Sequence, residues 1–403
     1  MPYTYRSGRP GASRRPTKNR RAPQNSRKRG YIDPARFIAA AKNTATSVAY
    51  EPKHQFSDFD VNPLIAANLQ AKGYTTPSPI QDQAIPHGLA GRDVLGLAST
   101  GTGKTAAFAV PVLNKMMADP DSSAIIIAPT RELAEQIEAE FRSIGKGSRL
   151  MGALLIGGSS MRTQLLDLKA GARIIIGTPG RIKDHLERGT LKLDNFSIAV
   201  LDEVDRMLDM GFIGDIRHIL SHMPNDRQSF FFSATITPAI RTLIDGFTDD
   251  PVTVKIESSR ASENVHQDVI RYNDRSDKFA KLKEVLAHES VSKAIIFDET
   301  QRGVERLYKS LEEHGFAVDS MHGGKSQGQR QRALRKFKQS EVNFLVATDV
   351  AARGIDVADI THVINYSTPE VYDDYIHRIG RAGRAGKTGY SFTFVESRGT
   401  AHF

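Results

Sequence analysis

The chain is 403 residues long, which is enough for two ordinary α/β domains and an additional segment. The lack of cysteine excludes disulfide scaffolds, thiolate zinc sites and cysteine nucleophiles, and the lack of any run of 18 apolar residues argues against a membrane span. The formal charge of +9 is local: residues 1–30 contain ten Lys and Arg and no acid, which leaves 45 basic against 46 acidic residues elsewhere.

The basic N-terminal segment also contains four prolines among scattered Gly, Ser and Asn. Such a composition cannot sustain a helix or bury a core, so we expect residues 1–50 to form a largely disordered tail. Its charge favours non-specific attraction of nucleic-acid phosphates, and a merely solubilising tail is the alternative. Because no apolar segment follows the charged start, we expect no secretion signal and a cytoplasmic protein.

Short apolar runs alternate with longer amphipathic stretches from about Asp93 onward. Continuous apolar character predicts strands that are covered on both faces, as in a parallel sheet flanked by helices. We therefore expect a first doubly wound domain over residues 51–257, with ligands bound beyond the carboxyl ends of its strands. Its predicted strands lie in DVLGLA (93–98), SAIIIAP (123–129), GALLIG (152–157), ARIIIGT (172–178), FSIAVLD (196–202) and QSFFFSAT (228–235).

A phosphate-binding loop is predicted in ASTGTGKT (98–105), between a strand and an apolar helical pattern. Gly101 and Gly103 allow backbone N–H groups to close on phosphate oxygens at a helix N-terminus. Lys104 can neutralise the terminal phosphates, and Thr105 can bind magnesium. The first position is Ala where the strict pattern has Gly, but the flanking strand and helix make an ordinary glycine-rich turn a weaker interpretation.

Two acids follow the predicted strand FSIAV directly. Asp202 stands where a carboxylate can reach a magnesium ion above the phosphate loop, and Glu203 can accept a proton from an attacking water. An acid-rich helix start, favoured by the helix dipole, is the alternative. The phosphate loop upstream favours the catalytic interpretation.

A polar stretch without periodicity, ESSRASENV (257–265), separates the first series of runs from a second one. We expect a linker over residues 258–266 and a second doubly wound domain over residues 267–403. The predicted strands of that domain lie in QDVIRY (267–272), KAIIFDET (293–300), VNFLVATD (342–349), HVINY (362–366) and YSFTFVE (390–396).

The order of motifs over most of residues 56–395 closely resembles the DEAD-box RNA helicases of helicase superfamily 2. The resemblance implies two tandem RecA-like domains with an interdomain cleft, and ATP and Mg²⁺ as cofactors. It rests on GYTTPSPIQ (73–81), ASTGTGKT (98–105), APTREL (128–133), TPGR (178–181), DEVD (202–205), SAT (233–235), QGQR (327–330), ATDVAARGID (347–356) and HRIGRAGR (377–384).

The resemblance also implies roles at the nucleotide. Phe56 would stack on adenine, Gln81 would hydrogen-bond its edge, and Asp356 would lie near the ribose. Arg381 and Arg384 would act as arginine fingers when the domains close, which contributes roughly 10³–10⁵ in rate. The expected catalytic residues are Lys104, Asp202, Glu203, Arg381 and Arg384. The expected magnesium ligands are Thr105 and Asp202. The remaining nucleotide contacts would come from Ser99, Thr100, Gly101, Thr102, Gly103, Lys104 and Thr105.

The implied RNA contacts lie just after strands or at helix starts, where hydroxyl, guanidinium and backbone N–H groups grip phosphates without reading bases. In the first domain they are Thr130, Arg131, Gly157, Gly158, Thr178, Pro179, Gly180 and Arg181. In the second domain they are Gln327, Arg330, Thr348 and Asp349. The residues expected to couple the two domains are Asp205, Ser233, Thr235 and His377.

The chain departs from the family pattern at Val204, Ser99, Ser78 and Ala382, where Ala, Gln, Thr and Thr are common. None of these changes removes a charge, a metal ligand or a proton-transfer group, so we expect the chemistry to survive. Seven residues follow Glu396, whereas the family usually continues into a closing helix. We therefore expect either incomplete cover of the second sheet or a truncated second domain.

The leading hypothesis is an ATP-dependent RNA helicase that separates short duplexes locally or remodels RNA–protein complexes, with RNA-stimulated ATP hydrolysis. The alternatives are an ATP-dependent RNA clamp or scaffold with little unwinding, and a superfamily 2 DNA helicase. We expect the RNA backbone as the main partner, with little sequence preference, and protein cofactors or ribosomal particles as candidate further partners. We expect no membrane partner, and a monomer.

Overall fold

The structure is a computed structural model that describes residues 32–40, 50–99, 101–256, 264–352, 357, 359–369, 371–383 and 387–397. Most of the predicted tail and linker, and the candidate site residues Thr100, Asp356 and Arg384, lie outside the described residues. Among the described residues, no helix is long and apolar enough to cross a bilayer.

The first domain is a seven-stranded parallel sheet with helices on both faces. Alternate residues of its isoleucine-rich strands enter two different hydrophobic clusters, so these strands are covered on both faces. The strands, in the spatial order β3-β4-β2-β5-β6-β1-β7, are β1 (Val94–Leu97), β2 (Ala124–Ile127), β3 (Gly152–Leu155), β4 (Ile174–Gly177), β5 (Ile198–Leu201), β6 (Gln228–Ser233) and β7 (Val252–Lys255). The helices are α1 (Pro63–Ala71), α2 (Pro79–Leu89), α3 (Lys104–Ala118), α4 (Arg131–Ile144), α5 (Met161–Lys169), α6 (Pro179–Glu187), α7 (Val204–Asp209), α8 (Ile213–Leu220) and α9 (Pro238–Asp245).

The second domain repeats this architecture with a six-stranded parallel sheet. Its two faces also pack into separate hydrophobic clusters. The strands, in the spatial order β10-β11-β9-β12-β13-β8, are β8 (Val265–Tyr272), β9 (Ala294–Phe297), β10 (Val318–Met321), β11 (Phe344–Ala347), β12 (His362–Asn365) and β13 (Gly389–Glu396). The helices are α10 (Arg275–Ala287), α11 (Gln301–Glu313), α12 (Gln327–Lys338), α13 (Asp349–Ala352) and α14 (Tyr372–Ile379).

The predicted fold of two doubly wound domains is confirmed, and each predicted apolar run contains a strand. We missed two strands, β7 and β10, which are edge strands of their sheets. The sequence of β7, VTVK, is partly exposed, and that of β10, VDSM, includes two polar residues. Strands at a sheet edge need less apolar surface, so neither gives a continuous apolar run.

The segment 32–40 corrects the predicted extent of the tail, because it packs on the second domain. Ala39 forms an antiparallel bridge with Gln267 of β8, with N···O distances of 3.0 and 2.8 Å. Phe37 is fully buried, and its ring lies 4.7 Å from that of Tyr375. The expectation of a largely disordered tail through residue 50 is therefore wrong for residues 32–40.

The predicted linker is also too long at its C-terminal end. Strand β8 begins at Val265, within the range 258–266 that we assigned to the linker. Val265 is fully buried and pairs with Gly389 of β13. The second domain therefore begins before residue 267.

Candidate functional site

The predicted phosphate loop lies between β1 and α3, at the carboxyl edge of the first sheet. Gly101 and Gly103 have φ angles of 82° and 88°, a left-handed region that glycine adopts without steric cost. Gly103 is the N-cap of α3, so the loop ends at the positive end of the helix dipole. Lys104 is 6% exposed, and its Nζ donates a hydrogen bond to the carbonyl of Ala98 at 3.2 Å. These features suit phosphate binding, and the contact of the loop with phosphate stays a prediction.

The motif around Gln81 contacts this loop directly. The Oε1 atom of Gln81 accepts a hydrogen bond from the Ser78 backbone N–H at 2.9 Å, which forms a capping box at the start of α2. Its Nε2 atom donates to the Gly103 carbonyl at 3.0 Å, and the Ser78 hydroxyl donates to the Thr102 carbonyl at 2.7 Å. The loop is closed further by a 2.8 Å bond from the Thr102 hydroxyl to the Ser99 carbonyl. In this structure Gln81 therefore supports the loop, and its contact with adenine stays a prediction.

Phe56 is 5% exposed and packs in the core of the first domain. Its ring contacts those of Phe59 and Tyr74 edge-to-face, with centroid distances of 5.6 and 5.2 Å. Such packing holds the ring in place but leaves little of its surface open. Stacking of Phe56 on adenine stays a prediction.

The acids after β5 are buried beside the phosphate loop. Asp202 is 2% exposed, and its Oδ1 lies 3.9 Å from Nζ of Lys104. Burial raises the pKa of Asp202 to about 6; Lys104 opposes this increase, and the charge of Glu203 adds to it. Burial destabilises the ionised form of this carboxylate, and a bound cation would stabilise that form.

Glu203 is 4% exposed and has φ 53°, which is uncommon for a residue other than glycine. Its Oε2 accepts a hydrogen bond from Nη1 of Arg206 at 2.7 Å. Burial acts to raise the pKa of Glu203, but the cations Arg206, Lys104 and Arg381 outweigh it and lower the pKa. The candidate base is therefore held as a carboxylate.

Asp205 connects the acids to the SAT motif. Its Oδ2 accepts hydrogen bonds from the backbone N–H groups of Ala234 and Thr235 at 3.0 and 3.1 Å, and from the Thr235 hydroxyl at 3.3 Å. The Ser233 hydroxyl accepts a hydrogen bond from the Asp205 N–H at 3.3 Å and donates to the Thr235 carbonyl at 2.7 Å. These contacts tie two motifs together within the first domain. Asp205 also lines a cavity together with His377 of the second domain, and its coupling of the two domains stays a prediction.

A cavity of about 840 Å³ lies between the two domains. Lys104 and Glu203 line it from the first domain, and His377 and Gly380 line it from α14 and the turn that follows. The candidate finger Arg381 is 3% exposed, and its Nε donates to the His377 carbonyl at 3.3 Å. Of the predicted catalytic groups that the structure describes, Lys104 and Glu203 line this cavity, and Arg381 lies near enough to contribute to the lowered pKa of Glu203.

The first group of predicted RNA contacts also forms a cluster. The Thr130 hydroxyl caps α4 by accepting a hydrogen bond from the Leu133 N–H at 3.3 Å. The Arg131 guanidinium packs against Gly157 and Gly158, where an added Cβ would lie 2.9 and 2.3 Å from it. The guanidinium is the mobile end of a long side chain and could move aside, so the stronger reason for glycine is the φ of +79° at Gly158.

The second group lies at the start of α6. Thr178 is the N-cap of this helix, and its hydroxyl makes no capping bond. Pro179 is buried in the first turn, and Gly180 is exposed. Nη1 of Arg181 donates to Oε1 of Gln164 at 3.3 Å.

We did not predict the residues that support Arg181. Gln164 is buried, and its Nε2 donates to the Ile156 carbonyl at 3.0 Å. Nε2 of His185 lies 3.1 Å from Oε1 of Gln164, and burial together with the charge of Arg181 lowers the pKa of His185. Neither residue belongs to a motif, so sequence spacing carries no signal for them.

Two predicted RNA contacts of the second domain instead touch the first domain. Nε2 of Gln327 donates to Oε1 of Glu135 at 2.9 Å, and Nη2 of Arg330 lies 2.8 Å from Oε1 of Glu132. Arg330 and Glu132 are 8% and 2% exposed. In this arrangement the QGQR motif is an interdomain contact, and its role in RNA binding stays a prediction.

Asp349 likewise has a protein partner. Its Oδ1 and Oδ2 accept hydrogen bonds from Nε and Nη2 of Arg378 at 2.6 and 2.7 Å, a bidentate pair. The neighbouring Thr348 is 8% exposed, and its carbonyl accepts the N–H groups of Ala351 and Ala352. We predicted both residues as RNA contacts. In this structure the Asp349 carboxylate is already paired, because the planar guanidinium group of Arg378 donates to both of its oxygens.

Comparison with known proteins agrees with this arrangement of motifs. The DEAD/DEAH box helicase family matches residues 78–243, and the helicase conserved C-terminal domain matches residues 277–386. The chain is 43% identical over 345 residues to the DEAD-box ATP-dependent RNA helicase CshA of Bacillus subtilis (strain 168), a match that covers 85% of this chain and 70% of that protein. The chain belongs to the DEAD-box ATP-dependent RNA helicases. It is 42% identical over 343 residues to the ATP-dependent RNA helicase CshA of Limosilactobacillus reuteri, with 85% and 69% covered.

Solved structures of RNA helicase complexes share the fold. The structure of S. cerevisiae Dbp5 bound to RNA and ADP BeF3 has a TM-score of 0.75 and 30% identity, and the match covers 85% of this helicase and 90% of that chain. The structure of Mss116p bound to ssRNA and AMP-PNP has a TM-score of 0.77 and 28% identity, with 85% and 75% covered. This helicase is therefore an enzyme that hydrolyses ATP and binds RNA, with two RecA-like domains.

Proposed function

We propose that this helicase separates short RNA duplexes locally, and that RNA stimulates its ATP hydrolysis by favouring domain closure. The observation that carries the proposal is the joint cleft, where Lys104 and Glu203 of the first domain face His377 of the second. The positive charge of Arg381 already reaches Glu203 in this arrangement. A cleft assembled from two domains makes turnover conditional on their closure.

We propose that DEVD (202–205) is the family's box with valine in its third position. Asp202 would orient the metal, Glu203 would accept the proton of the attacking water, and Asp205 would transmit the state of the site to the SAT motif. The hydrogen bonds of Asp205 to residues 234 and 235 support this division of roles. Lys104 would hold the terminal phosphates.

Asp202 and Thr105 fit a magnesium ion. Among the described residues, no group of three or more His, Asp or Glu side chains is placed to hold a metal ion. A buried carboxylate with a raised pKa suits Mg²⁺, which usually keeps water and phosphate oxygens as its other ligands. When bound, the metal would stabilise negative charge on the transferring phosphoryl group.

Further parts of the proposal concern the partners. The RNA candidates Thr130, Arg131, Gly158, Thr178 and Arg181 lie at helix starts or after strands of the first sheet, which suits contact with the sugar–phosphate backbone. We propose that the helicase acts in the cytoplasm as a monomer. Protein cofactors or ribosomal particles are proposed as further partners.

The proposal is tested by measuring ATP turnover and strand separation on the same preparation. We expect turnover to rise with single-stranded RNA more than with single-stranded DNA, and a short tailed RNA duplex to separate only with ATP. Glu203→Gln should bind ATP and RNA but lose at least about 100-fold in turnover, because the proton acceptor is gone. Lys104→Ala should instead weaken nucleotide binding. Turnover that is indifferent to RNA would contradict the proposal, and ATP-dependent RNA retention without strand separation would indicate a clamp.

A further inference from the structure

The candidate base Glu203 is itself held by a second side chain. It occupies the N-cap of α7 in a left-handed backbone conformation, with φ 53° and ψ 54°. Such a conformation is costly for a glutamate and persists where surrounding contacts impose it. One turn later on the same helix, Nη1 of Arg206 donates to Oε2 of Glu203 at 2.7 Å. This leaves Oε1 as the carboxylate oxygen that can accept a proton from water.

Arg206 is buried to an extent that is unusual for arginine. It is 2% exposed and is among the largest fully buried side chains of the described residues. Its Nη2 is buried and has no hydrogen-bond partner among the described residues. Burying a guanidinium with an unused donor is unfavourable, so an ion pair kept only for stability would be a poor solution.

The position of Arg206 indicates why this cost is tolerated. Arg206 lines the same cleft cavity as Lys104 and Glu203. In enzymes that activate a nucleophile, the base is commonly oriented by a third group that does not touch the reacting atoms. The pair Glu203–Arg206 has this form. Arg206 holds Oε2 of the carboxylate, and Oε1 remains to accept a proton from the attacking water.

We propose that Arg206 is a positioning residue for ATP hydrolysis, which fixes the Glu203 carboxylate through Oε2 so that Oε1 accepts the proton of the attacking water. This inference rests on the proposed function, because it requires Glu203 to be the base. Atoms balance without any further reactant: water loses a proton to Oε1, and its oxygen bonds to the terminal phosphorus of ATP as the bond to the leaving ADP oxygen breaks. Arg206 acts through Glu203 and stays protonated.

The test replaces Arg206 in the full chain and measures steady-state ATP turnover with saturating RNA. Arg206→Met removes the ion pair and keeps much of the side-chain volume. We expect kcat to fall about 10- to 100-fold while KM for ATP and RNA affinity stay within about twofold, because a displaced base affects the chemical step and not binding. Arg206→Lys should recover part of the lost kcat, since it restores a cationic donor.

A double-mutant cycle separates positioning from a structural role. In the Glu203→Gln background, Arg206→Met should cause no further loss of kcat, because its effect passes through Glu203. Arg188→Met is the matched control. Arg188 is the C-cap residue of α6, its Nε lies 2.6 Å from Oδ1 of Asp184, and the two side chains are 58% and 34% exposed, so we expect the loss of this pair to leave kcat unchanged. If Arg206→Met does not fold, as judged by thermal melting, Arg206→Gln takes its place in the cycle.

The outcomes distinguish this inference from the function on which it rests. If Glu203→Gln is inactive but Arg206→Met keeps wild-type kcat, the positioning role is wrong and the function stands. A rise in RNA-independent kcat would also overturn the inference, because Arg206 would then restrain the base. If Glu203→Gln turns over ATP normally, the assignment of the base is wrong.

Discussion

Gly103 lies where the phosphate loop contacts Gln81. Its backbone conformation favours glycine, and the space beside it is too small for a side chain. Its φ is +88°, and an added Cβ would lie 2.5 Å from Nε2 of Gln81 and 3.1 Å from the Ser78 hydroxyl oxygen. We predict that Gly103→Ala displaces Gln81 and opens the loop. ATP affinity should fall at least about tenfold, measured by titration with a fluorescent nucleotide, since the loop N–H groups no longer converge on the phosphates.

Gly91 provides the matched control for this substitution. Its φ is +78°, but an added Cβ would meet nothing within 4 Å. Gly91→Ala should therefore cost roughly 1 kcal/mol of stability through backbone strain and leave ATP affinity unchanged. Equal ATP affinities for the two variants would contradict the predicted role of Gly103 in nucleotide binding.

Val204 is the residue by which the box departs from its family pattern. It is fully buried and packs in the hydrophobic cluster on one face of the first sheet. We predict that Val204→Ala lowers the free energy of unfolding by roughly 1–3 kcal/mol, because it removes two methyl groups from a packed site. The kcat for ATP should stay within about twofold, since Ala keeps the backbone that positions Glu203.

Urea denaturation and RNA-stimulated turnover check the effect of Val204→Ala together. A changed coupling ratio of strand separation to ATP turnover, with unchanged stability, would contradict the packing explanation. It would instead indicate that the third position of the box adjusts the contacts between Asp205 and the SAT motif.

Sequence motifs located Lys104, Asp202 and Glu203 because a strand end and a helix start fix where such side chains lie. They did not reveal the partners that those side chains bond. The pairing of Glu203 with Arg206 depends on a left-handed residue at the start of α7, and no spacing rule encodes it. The contact of Gln327 with Glu135 joins residues 192 positions apart, so it follows from domain arrangement and not from local sequence.

At the scale of elements, the segment 32–40 shows why composition alone misplaced a boundary. The segment IDPARFIAA has one acid and one base, so it lacks the strong positive charge of residues 1–30, but it is too short to show a helical or strand periodicity. In the structure Asp33 caps a 3-10 turn over Pro34–Phe37. Phe37 then enters the core on one face of the second sheet, and Arg36 lies 3.9 Å from the Tyr372 ring centroid. A single aromatic residue that packs in the core of a domain distant in sequence gives no recognisable pattern along the chain. A continuous apolar run is itself a recognisable pattern, which is why the central strands could be predicted from the sequence.

Strand β12 carries a buried titratable group outside the catalytic cleft. His362 is 2% exposed, and its ring stacks on Tyr390 of β13 at 5.0 Å. Burial, and to a lesser extent the charge of His288, lowers the pKa of His362 to about 4 from an ordinary value of 6.5. The folded state therefore favours the neutral ring, and its stabilising contribution is complete above pH 6.5 and is lost as pH falls toward 4.

We predict that His362→Phe reduces the pH dependence of stability between pH 6.5 and 4. The contribution removed is on the order of 3 kcal/mol at most, because each pKa unit corresponds to about 1.4 kcal/mol. Phenylalanine keeps the stacking on Tyr390 but cannot be protonated. Thermal melting across this pH range measures the effect. His222→Gln, at an exposed position, should retain the wild-type pH profile; a wild-type profile for His362→Phe would contradict the assignment.

At the scale of the whole molecule, the contact between α4 and α12 is incompletely satisfied. In the first domain, Glu135 accepts a hydrogen bond from Gln327 and Glu132 pairs with Arg330, both of which belong to the QGQR motif of the second domain. Burial raises the pKa of Glu135. Yet Oε2 of Glu132, Oε1 of Gln327 and Nε of Arg330 are buried without partners among the described residues. Unsatisfied polar atoms make a contact easier to break, which suits an interface that opens and closes in the cycle of turnover proposed above.

The pair Glu132–Arg330 tests whether this contact or RNA is the main partner of Arg330. If Arg330 acts through Glu132, then Glu132→Gln and Arg330→Met should each lower RNA-stimulated kcat/KM, and the double variant should be no worse than either. The coupling free energy should then be about 1–3 kcal/mol, because one lost interaction is counted twice in the single variants. Glu138→Gln, which removes a largely surface pair with Arg142 on the same helix, is the control and should have little effect. Additive losses, together with weaker RNA binding only in Arg330→Met, would assign Arg330 to RNA.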